Sequence, residues 1–222
     1  LAEYVNSHEI DLVLLAGDLF DSTGAFRETG EQLAAALRRM QAKVFVSPGN
    51  HDWYGPGSPW VTVQWPGNVH VFSTGQMTAV DLPEPDSPTI ATHWPGYTLK
   101  EEVRTARTAR PSSTGFVAPS DGRIHVGVLH GEVEPSEARY NPIRKEEIAA
   151  SGLTYLALGH IHRRTESQTF GTTVCAWPGC PEGRGFDELG EKGFYEGTLS
   201  ESGQVSLTFI PFARRRYEIL EV

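Results

Sequence analysis

Two stretches decide the fold, DLVLLAGDLFD at residues 11–21 and KVFVSPGNHD at residues 43–52. In each, a short apolar run is followed by glycine and polar residues, which predicts a buried strand that ends in a tight loop. Between the two, Leu33, Leu37 and Met40 recur at the spacing of one helix face. A strand, a helix and a second strand in this order form a βαβ unit, so we expect the two strands to lie parallel in one sheet.

The rest of the chain is rich in short strand patterns. A weaker helix pattern covers Asn141–Ser151 and ends at Gly152, a residue type that commonly caps helices. We predict further strands at Val69–Ser73, Thr78–Leu82, Pro88–Thr92, Ile124–Leu129, Thr154–Leu158, Thr173–Trp177, Gly193–Leu199, Gln204–Ile210 and Arg215–Leu220. The sequence therefore predicts an α/β fold.

Both ends of the sequence look truncated. Residues 1–9 lack an initiating methionine and resemble the second half of an amphipathic helix, since no capping residue precedes them. The strand pattern at the other end simply stops. We expect residues 1–222 to form a single domain whose two ends have been cut.

Composition and charge narrow the classes of function. The chain has 222 residues and a formal net charge of −9, which argues against a protein that coats nucleic acid through clustered lysines and arginines. No apolar run approaches the roughly 20 residues of a membrane span, and no basic and then apolar leader opens the sequence. The two cysteines cannot build a disulfide framework. We therefore expect a cytoplasmic protein that has no membrane partner.

Four of the predicted strands end in residues that can bind a metal ion. In open α/β sheets, functional sites gather beyond the carboxyl ends of the strands, so we expect these four ends to converge. A mixed set of nitrogen and oxygen ligands suits Mn²⁺, Fe²⁺ or Zn²⁺ better than Ca²⁺. On extended backbone, His160 and His162 would point their imidazoles to the same face. The four ends are Gly17-Asp18, Gly49-Asn50-His51-Asp52, His130-Gly131-Glu132 and Gly159-His160-Ile161-His162.

These motifs, in this order, resemble those of the calcineurin-like metallophosphoesterase superfamily. The Gly-Asp-Leu-Phe-Asp form at residues 17–21 and the Pro-Gly-Cys-Pro at residues 178–181 are most similar to its SbcD-like branch of DNA repair exonucleases. The resemblance implies a metallophosphoesterase β-sandwich flanked by helices, with four layers in the order αββα. It also implies two divalent metal ions, for which we expect Mn²⁺, with Fe²⁺ or Zn²⁺ as alternatives.

The resemblance assigns metal-binding roles to five residues. Asp18 would bridge both ions. Asn50, His130 and His160 would complete the ligands of one ion. His162 would bind the other ion.

Two further residues receive catalytic roles by the same resemblance. His51 would lie over the scissile phosphate, and an imidazole with a pKa near 6.5 is able to protonate the leaving oxygen. Asp21 matches the position that orients this histidine in related phosphatases. The sequence identifies no substrate-binding residue.

One motif of the family has no counterpart here. The family opens with an Asp-x-His motif on its first strand, and none precedes Gly17. We attribute the difference to truncation, so that the N-terminal strand is missing from this chain. A true absence of the motif would instead favour a non-catalytic docking subunit.

The favoured function is metal-dependent hydrolysis of phosphodiester bonds in DNA, by an exonuclease or endonuclease of DNA repair. This function implies DNA as the substrate, a coiled-coil ATPase of the SbcC type as a partner, and a homodimer. The arginines at residues 104, 107 and 110 would contact DNA phosphates, although a solvated charged surface is the simpler interpretation. The alternative is a phosphodiesterase or phosphatase for a small nucleotide or another phosphoester, which the acidic charge favours.

Overall fold

The computed structural model describes residues 1–73, 78–81, 98–101, 117–118, 120, 123–134, 142–200 and 202–220. The strand predicted at Pro88–Thr92 and the arginines at residues 104, 107 and 110 lie outside these residues. The helices are α1 (Ala2–Ser7), α2 (Arg27–Arg38), α3 (Pro59–Thr62) and α4 (Lys145–Ala150). The strands are β1 (Leu12–Leu15), β2 (Lys43–Val46), β3 (Val69–Val71), β4 (Thr78–Asp81), β5 (Thr98–Glu101), β6 (His125–His130), β7 (Glu132–Val133), β8 (Pro142–Ile143), β9 (Tyr155–Gly159), β10 (Gln168–Phe170), β11 (Thr173–Ala176), β12 (Gly193–Leu199) and β13 (Val205–Pro211).

The first sheet contains the predicted βαβ unit. Strands β1 and β2 are parallel, with Leu12 opposite Lys43 and Leu15 opposite Val46, and β3 extends the sheet in parallel beside β2. Helix α2 connects β1 to β2. The prediction of a parallel pair joined by a helix is therefore confirmed.

The second sheet has the strand order β10-β11-β9-β6-β5-β4. Its centre is parallel, because β6 pairs in parallel with both β9 and β5 and β9 pairs in parallel with β11. The outer strands β10 and β4 run antiparallel to their neighbours. Two smaller pairs are separate, the antiparallel hairpin β12-β13 and the parallel pair β7-β8. The carboxyl ends of β6 and β9 therefore lie side by side.

Alternating side chains of the first sheet divide it between two cores. Val44 and Val46 pack with Leu37 of α2 on the helical side of the sheet. Phe45, between them, packs with Val126 of the second sheet. This alternation is what a strand with both faces buried requires, and it places the first sheet between a helical layer and the second sheet.

The second sheet is divided in the same way. Tyr155 and Ala157 of β9 face the core between the sheets, whereas Leu156 and Leu158 pack with Ile148 of α4. Three hydrophobic cores thus separate four layers in the order helix, sheet, sheet, helix. The predicted αββα sandwich is confirmed.

Two sequence predictions need correction. The strand predicted at Arg215–Leu220 is wrong, since this segment is irregular and the side chains of Ile219 and Leu220 are 71% and 83% exposed. An alternating pattern does not form a strand without a neighbouring strand to pair with. The helix predicted over Asn141–Ser151 is shorter than expected and occupies only α4, although Gly152 adopts the left-handed φ of +69° that its capping role requires.

No helix in the described part of the chain is long and apolar enough to cross a bilayer.

The two sheets lie in close contact where β1 and β9 end. A Cβ atom added to Gly159 would lie 1.8 Å from the carbonyl oxygen of Ala16 and 3.0 Å from Nδ1 of His130. Only a residue without a side chain fits between these two groups.

We predict that Gly159→Ala lowers the free energy of unfolding by about 1–3 kcal/mol, because the added methyl group forces the strand ends apart. Gly67→Ala is the matched control, since a Cβ atom there meets nothing within 4 Å. Urea unfolding followed by circular dichroism measures both variants. Equal midpoints for the two would contradict the close approach.

Candidate active site

The ends of three strands bring candidate metal ligands together. Asp18 follows β1, His130 ends β6 and His160 follows β9. One ligand atom from each of the three lies within 4.8 Å of the others. Asn50, in the loop after β2, joins them with its Oδ1 atom 3.0 Å from Nε2 of His130. All four candidate ligands of the first predicted ion therefore converge.

The hydrogen bonds of His130 define how its ring faces the site. Its Nδ1 atom lies 2.7 Å from the carbonyl oxygen of Ala16, and because a carbonyl only accepts, Nδ1 carries the proton. In the neutral ring, Nε2 then presents a lone pair. This atom lies 3.1 Å from Oδ2 of Asp18 and 3.0 Å from Oδ1 of Asn50. An imidazole nitrogen, a carboxylate and an amide oxygen thus meet at one point, which fits a divalent cation of the Mn²⁺, Fe²⁺ or Zn²⁺ type.

The charge states of the cluster also suit a cation. Burial raises the pKa of Asp18, but the contact with His130 and the hydrogen bond from the His51 N–H outweigh it, so the pKa lies below its usual range. Burial and the neighbouring His130 lower the pKa of His160. At neutral pH, Asp18 is therefore anionic and His160 is neutral, as metal ligands must be.

Two of the candidate ligands have an uncommon backbone conformation. Asp18 has a φ of +53° and His160 a φ of +86°, in the left-handed region that residues other than glycine rarely adopt. Such conformations cluster at functional sites, where the surrounding structure maintains them. Here they turn the chain sharply as it leaves each strand.

The expectation that the imidazoles of His160 and His162 point to one face required extended backbone, which His160 does not have. Strand β9 ends at Gly159, and the positive φ of His160 breaks the alternation. His160 joins Asp18 and His130, while Nδ1 of His162 is hydrogen-bonded to Oε1 of Glu188 at 2.6 Å. Neither histidine's proposed role as a ligand depends on the extended backbone.

The two predicted catalytic residues have different surroundings. His51 is exposed, and its backbone N–H donates to Oδ1 of Asp18 at 2.9 Å, which keeps it beside the candidate ligands. Asp21 is also exposed and forms an ion pair with Arg184. Within the described residues, Asp21 makes no hydrogen bond to His51, so its orienting role stays a prediction.

Asp52 is part of the motif after β2 but was assigned no role of its own, and the structure places it at the base of the site. Its carboxylate is fully buried and accepts four backbone N–H groups: Oδ1 accepts from Gly49 and Asp18, and Oδ2 accepts from Leu19 and Phe20. The distances range from 2.6 Å for Gly49 to 3.3 Å for Phe20. Burial raises the pKa of Asp52, and the hydrogen bonds from the N–H groups of Gly49, Leu19 and Phe20 oppose this increase only in part. The signal in the sequence was a carboxylate in the loop directly after a strand.

Comparison with known proteins identifies the family. Residues 1–164 match the family model described as calcineurin-like phosphoesterase. The chain belongs to this family. A phosphoesterase is a hydrolase, so membership is consistent with an enzyme.

Two individual proteins are similar to this chain. The uncharacterized metallophosphoesterase YhaO of Bacillus subtilis (strain 168) is 32% identical over 223 residues, which cover 95% of this chain and 50% of the relative. The chain thus spans about half the length of this curated relative. A solved crystal structure superposes with a TM-score of 0.54 at 10% identity, over 94% of this chain and 91% of the other. The second similarity supports the fold alone.

We predict that Asp52→Asn lowers the free energy of unfolding by about 1–3 kcal/mol. An amide has one accepting oxygen where the carboxylate has two, so its NH₂ group faces buried N–H donors that lose their partner. Thermal and urea unfolding measure the change. The exposed Asp187 supplies the control, because Asp187→Asn should stay within about 0.5 kcal/mol of the parent. Unchanged stability of Asp52→Asn would show that the carboxylate does not hold the two loops together.

Proposed function

We propose that this protein is a phosphodiesterase that depends on divalent metal ions and that its substrate is DNA. The observation that carries the proposal is the convergence of Nε2 of His130 with oxygens of Asp18 and Asn50, beside the exposed His51. Acceptor atoms that meet without a hydrogen between them are suited to a cation, and a cation next to an exposed imidazole is suited to phosphoester chemistry.

Within this proposal, one ion is bound by Asp18, Asn50, His130 and His160. Mn²⁺ is the proposed metal, with Fe²⁺ and Zn²⁺ as alternatives. A second ion, bound by Asp18 and His162, follows from the resemblance of the motifs to those of the family. When bound, such ions neutralise charge on the phosphoryl oxygens and make a water molecule more acidic.

The proposed contribution of the chain itself centres on His51. The hydrogen bond from its N–H to Asp18 holds its backbone at the edge of the cluster, while its side chain remains open to a substrate. There the imidazolium would donate its proton to the oxygen that leaves phosphorus, which makes that oxygen a better leaving group. Asp21, which pairs with Arg184 in the structure, would orient the ring, as the resemblance of the motifs implies.

Two lines of reasoning support different substrates. The form of the motifs at residues 17–21 and 178–181 resembles that of SbcD-like DNA repair nucleases and supports DNA. The net charge of −9 favours a small nucleotide or another compact phosphoester, which needs no basic surface. We give DNA the priority because the motif resemblance is the more specific of the two.

The same resemblance supports two further proposals about the whole protein, a coiled-coil ATPase of the SbcC type as partner and a homodimer. A place in the cytoplasm is proposed from the composition of the sequence.

The test is Mn²⁺-dependent cleavage of linear double- and single-stranded DNA by the full-length protein and its His51→Ala variant. We expect the parent to degrade DNA and His51→Ala to lose about 10²–10⁴-fold in rate, the usual contribution of a general acid. The variant should still bind Mn²⁺, because His51 is not among the proposed ligands. His8→Ala is the control. His8 is an exposed histidine at the C-terminal end of α1, so its replacement should leave the rate unchanged.

Other outcomes distinguish the alternatives. Intact DNA together with hydrolysis of an aryl phosphodiester would replace the nuclease proposal by a small-molecule phosphodiesterase. Failure to hydrolyse either substrate with Mn²⁺ bound would favour a non-catalytic docking subunit.

A further inference from the structure

The segment between β11 and β12 carries a buried carboxylate that is hydrogen-bonded to His162. Glu188 is only 7% exposed, and its Oε1 atom lies 2.6 Å from Nδ1 of His162. The side chain of His162 is 51% exposed. The buried carboxylate of Glu188 is thus hydrogen-bonded to an imidazole that is itself half exposed.

The hydrogen bond determines the proton position on this ring. The ionised carboxylate only accepts hydrogen bonds, so the proton of neutral His162 lies on Nδ1 and the lone pair lies on Nε2. No described residue is hydrogen-bonded to Nε2. We propose that Glu188 is a positioning residue that keeps His162 in the Nδ1–H tautomer, with Nε2 available to bind a metal ion. This inference rests on the proposed function only in taking His162 as a ligand.

Contacts on both sides keep this pair in place. The second carboxylate oxygen of Glu188 accepts the backbone N–H of Arg184 at 2.7 Å. The carbonyl oxygen of His162 accepts from the backbone N–H of Cys180 at 3.2 Å and from Nζ of Lys192 at 3.1 Å. The ring of His162 and its backbone are therefore held by separate groups, and Glu188 is the one described residue that is hydrogen-bonded to the ring.

A carboxylate on the far nitrogen of a ligating histidine fixes its orientation and strengthens it as a ligand. Loss of such a partner typically costs about 10–100-fold in metal affinity or activity. Glu188 lies outside the four strand-end motifs, so the motif pattern does not reveal this role.

Glu188→Gln tests the proposal with almost no change in shape. Glutamine has one accepting oxygen for two donors, the Arg184 N–H and the His162 ring. The backbone N–H cannot change, whereas the ring can move its proton. We therefore expect the glutamine oxygen to face Arg184 and its NH₂ group to face Nδ1, which shifts His162 to the Nε2–H tautomer and occupies its ligating atom.

The primary measurement is the tautomer of His162 in the metal-free, full-length protein. Long-range ¹H–¹⁵N correlation spectra of ¹⁵N-histidine-labelled protein at about pH 8, where an ordinary imidazole is neutral, distinguish the two tautomers. The signal is assigned by its loss in His162→Ala. Calorimetric titration with Mn²⁺ gives the metal affinity. Glu182→Gln is the matched control, because Glu182 lies in the same segment and pairs with Arg215 instead.

The expected result is an Nδ1–H tautomer in the parent and in Glu188→Gln a shift toward Nε2–H with about 10–100-fold weaker Mn²⁺ binding. Glu182→Gln should match the parent. An Nε2–H tautomer in the parent would overturn the proposal without any variant, and so would unchanged Mn²⁺ affinity in Glu188→Gln. If the tautomer and affinity change as expected but the parent cleaves no DNA, the positioning role stands and the nuclease proposal falls.

Discussion

The hydrogen bond between Nδ1 of His130 and the carbonyl oxygen of Ala16 joins the ends of the two sheets, and the candidate site depends on it. It places β6 of one sheet against the end of β1 of the other. It also fixes the ring proton on Nδ1, so that Nε2 faces the oxygens of Asp18 and Asn50. A single contact therefore links the packing of the sandwich to the chemistry of its edge.

The backbone conformation of Asp18, next to this contact, is unfavourable by itself and is stabilised by Asp52. Asp18 has a left-handed backbone, a conformation that costs of order 1–3 kcal/mol unless the surroundings enforce it. Asp52 supplies that enforcement, because its buried carboxylate binds the N–H groups of Asp18 and of Gly49. The desolvation that raises the pKa of Asp52 is the cost of holding two loops in this arrangement.

Much of the fold and part of the site could be predicted from local pattern. Apolar runs that end in glycine and polar residues identified β1 and β2, and the shared edge of these parallel strands explained why Asp18 and Asn50 lie together. His130 ends a strand of the other sheet, so its contact with Asp18 depends on how the two sheets pack. The turn at His160 was not predictable, because a positive φ outside glycine is enforced by packing rather than by sequence. The role of Glu188 was hidden for a related reason, since it arises from a contact with His162, 26 positions away in the chain. The strand predicted at Arg215–Leu220 is wrong for a different reason. Its alternating sequence pattern suits a strand, but a strand also needs a neighbouring strand to pair with.

The most direct test of the account is a crystal structure of the protein soaked with Mn²⁺, with anomalous difference maps recorded near the manganese absorption edge. The account predicts an anomalous peak bonded to one atom each of Asp18, Asn50, His130 and His160. No peak at this strand-end cluster when Mn²⁺ is saturating would contradict it.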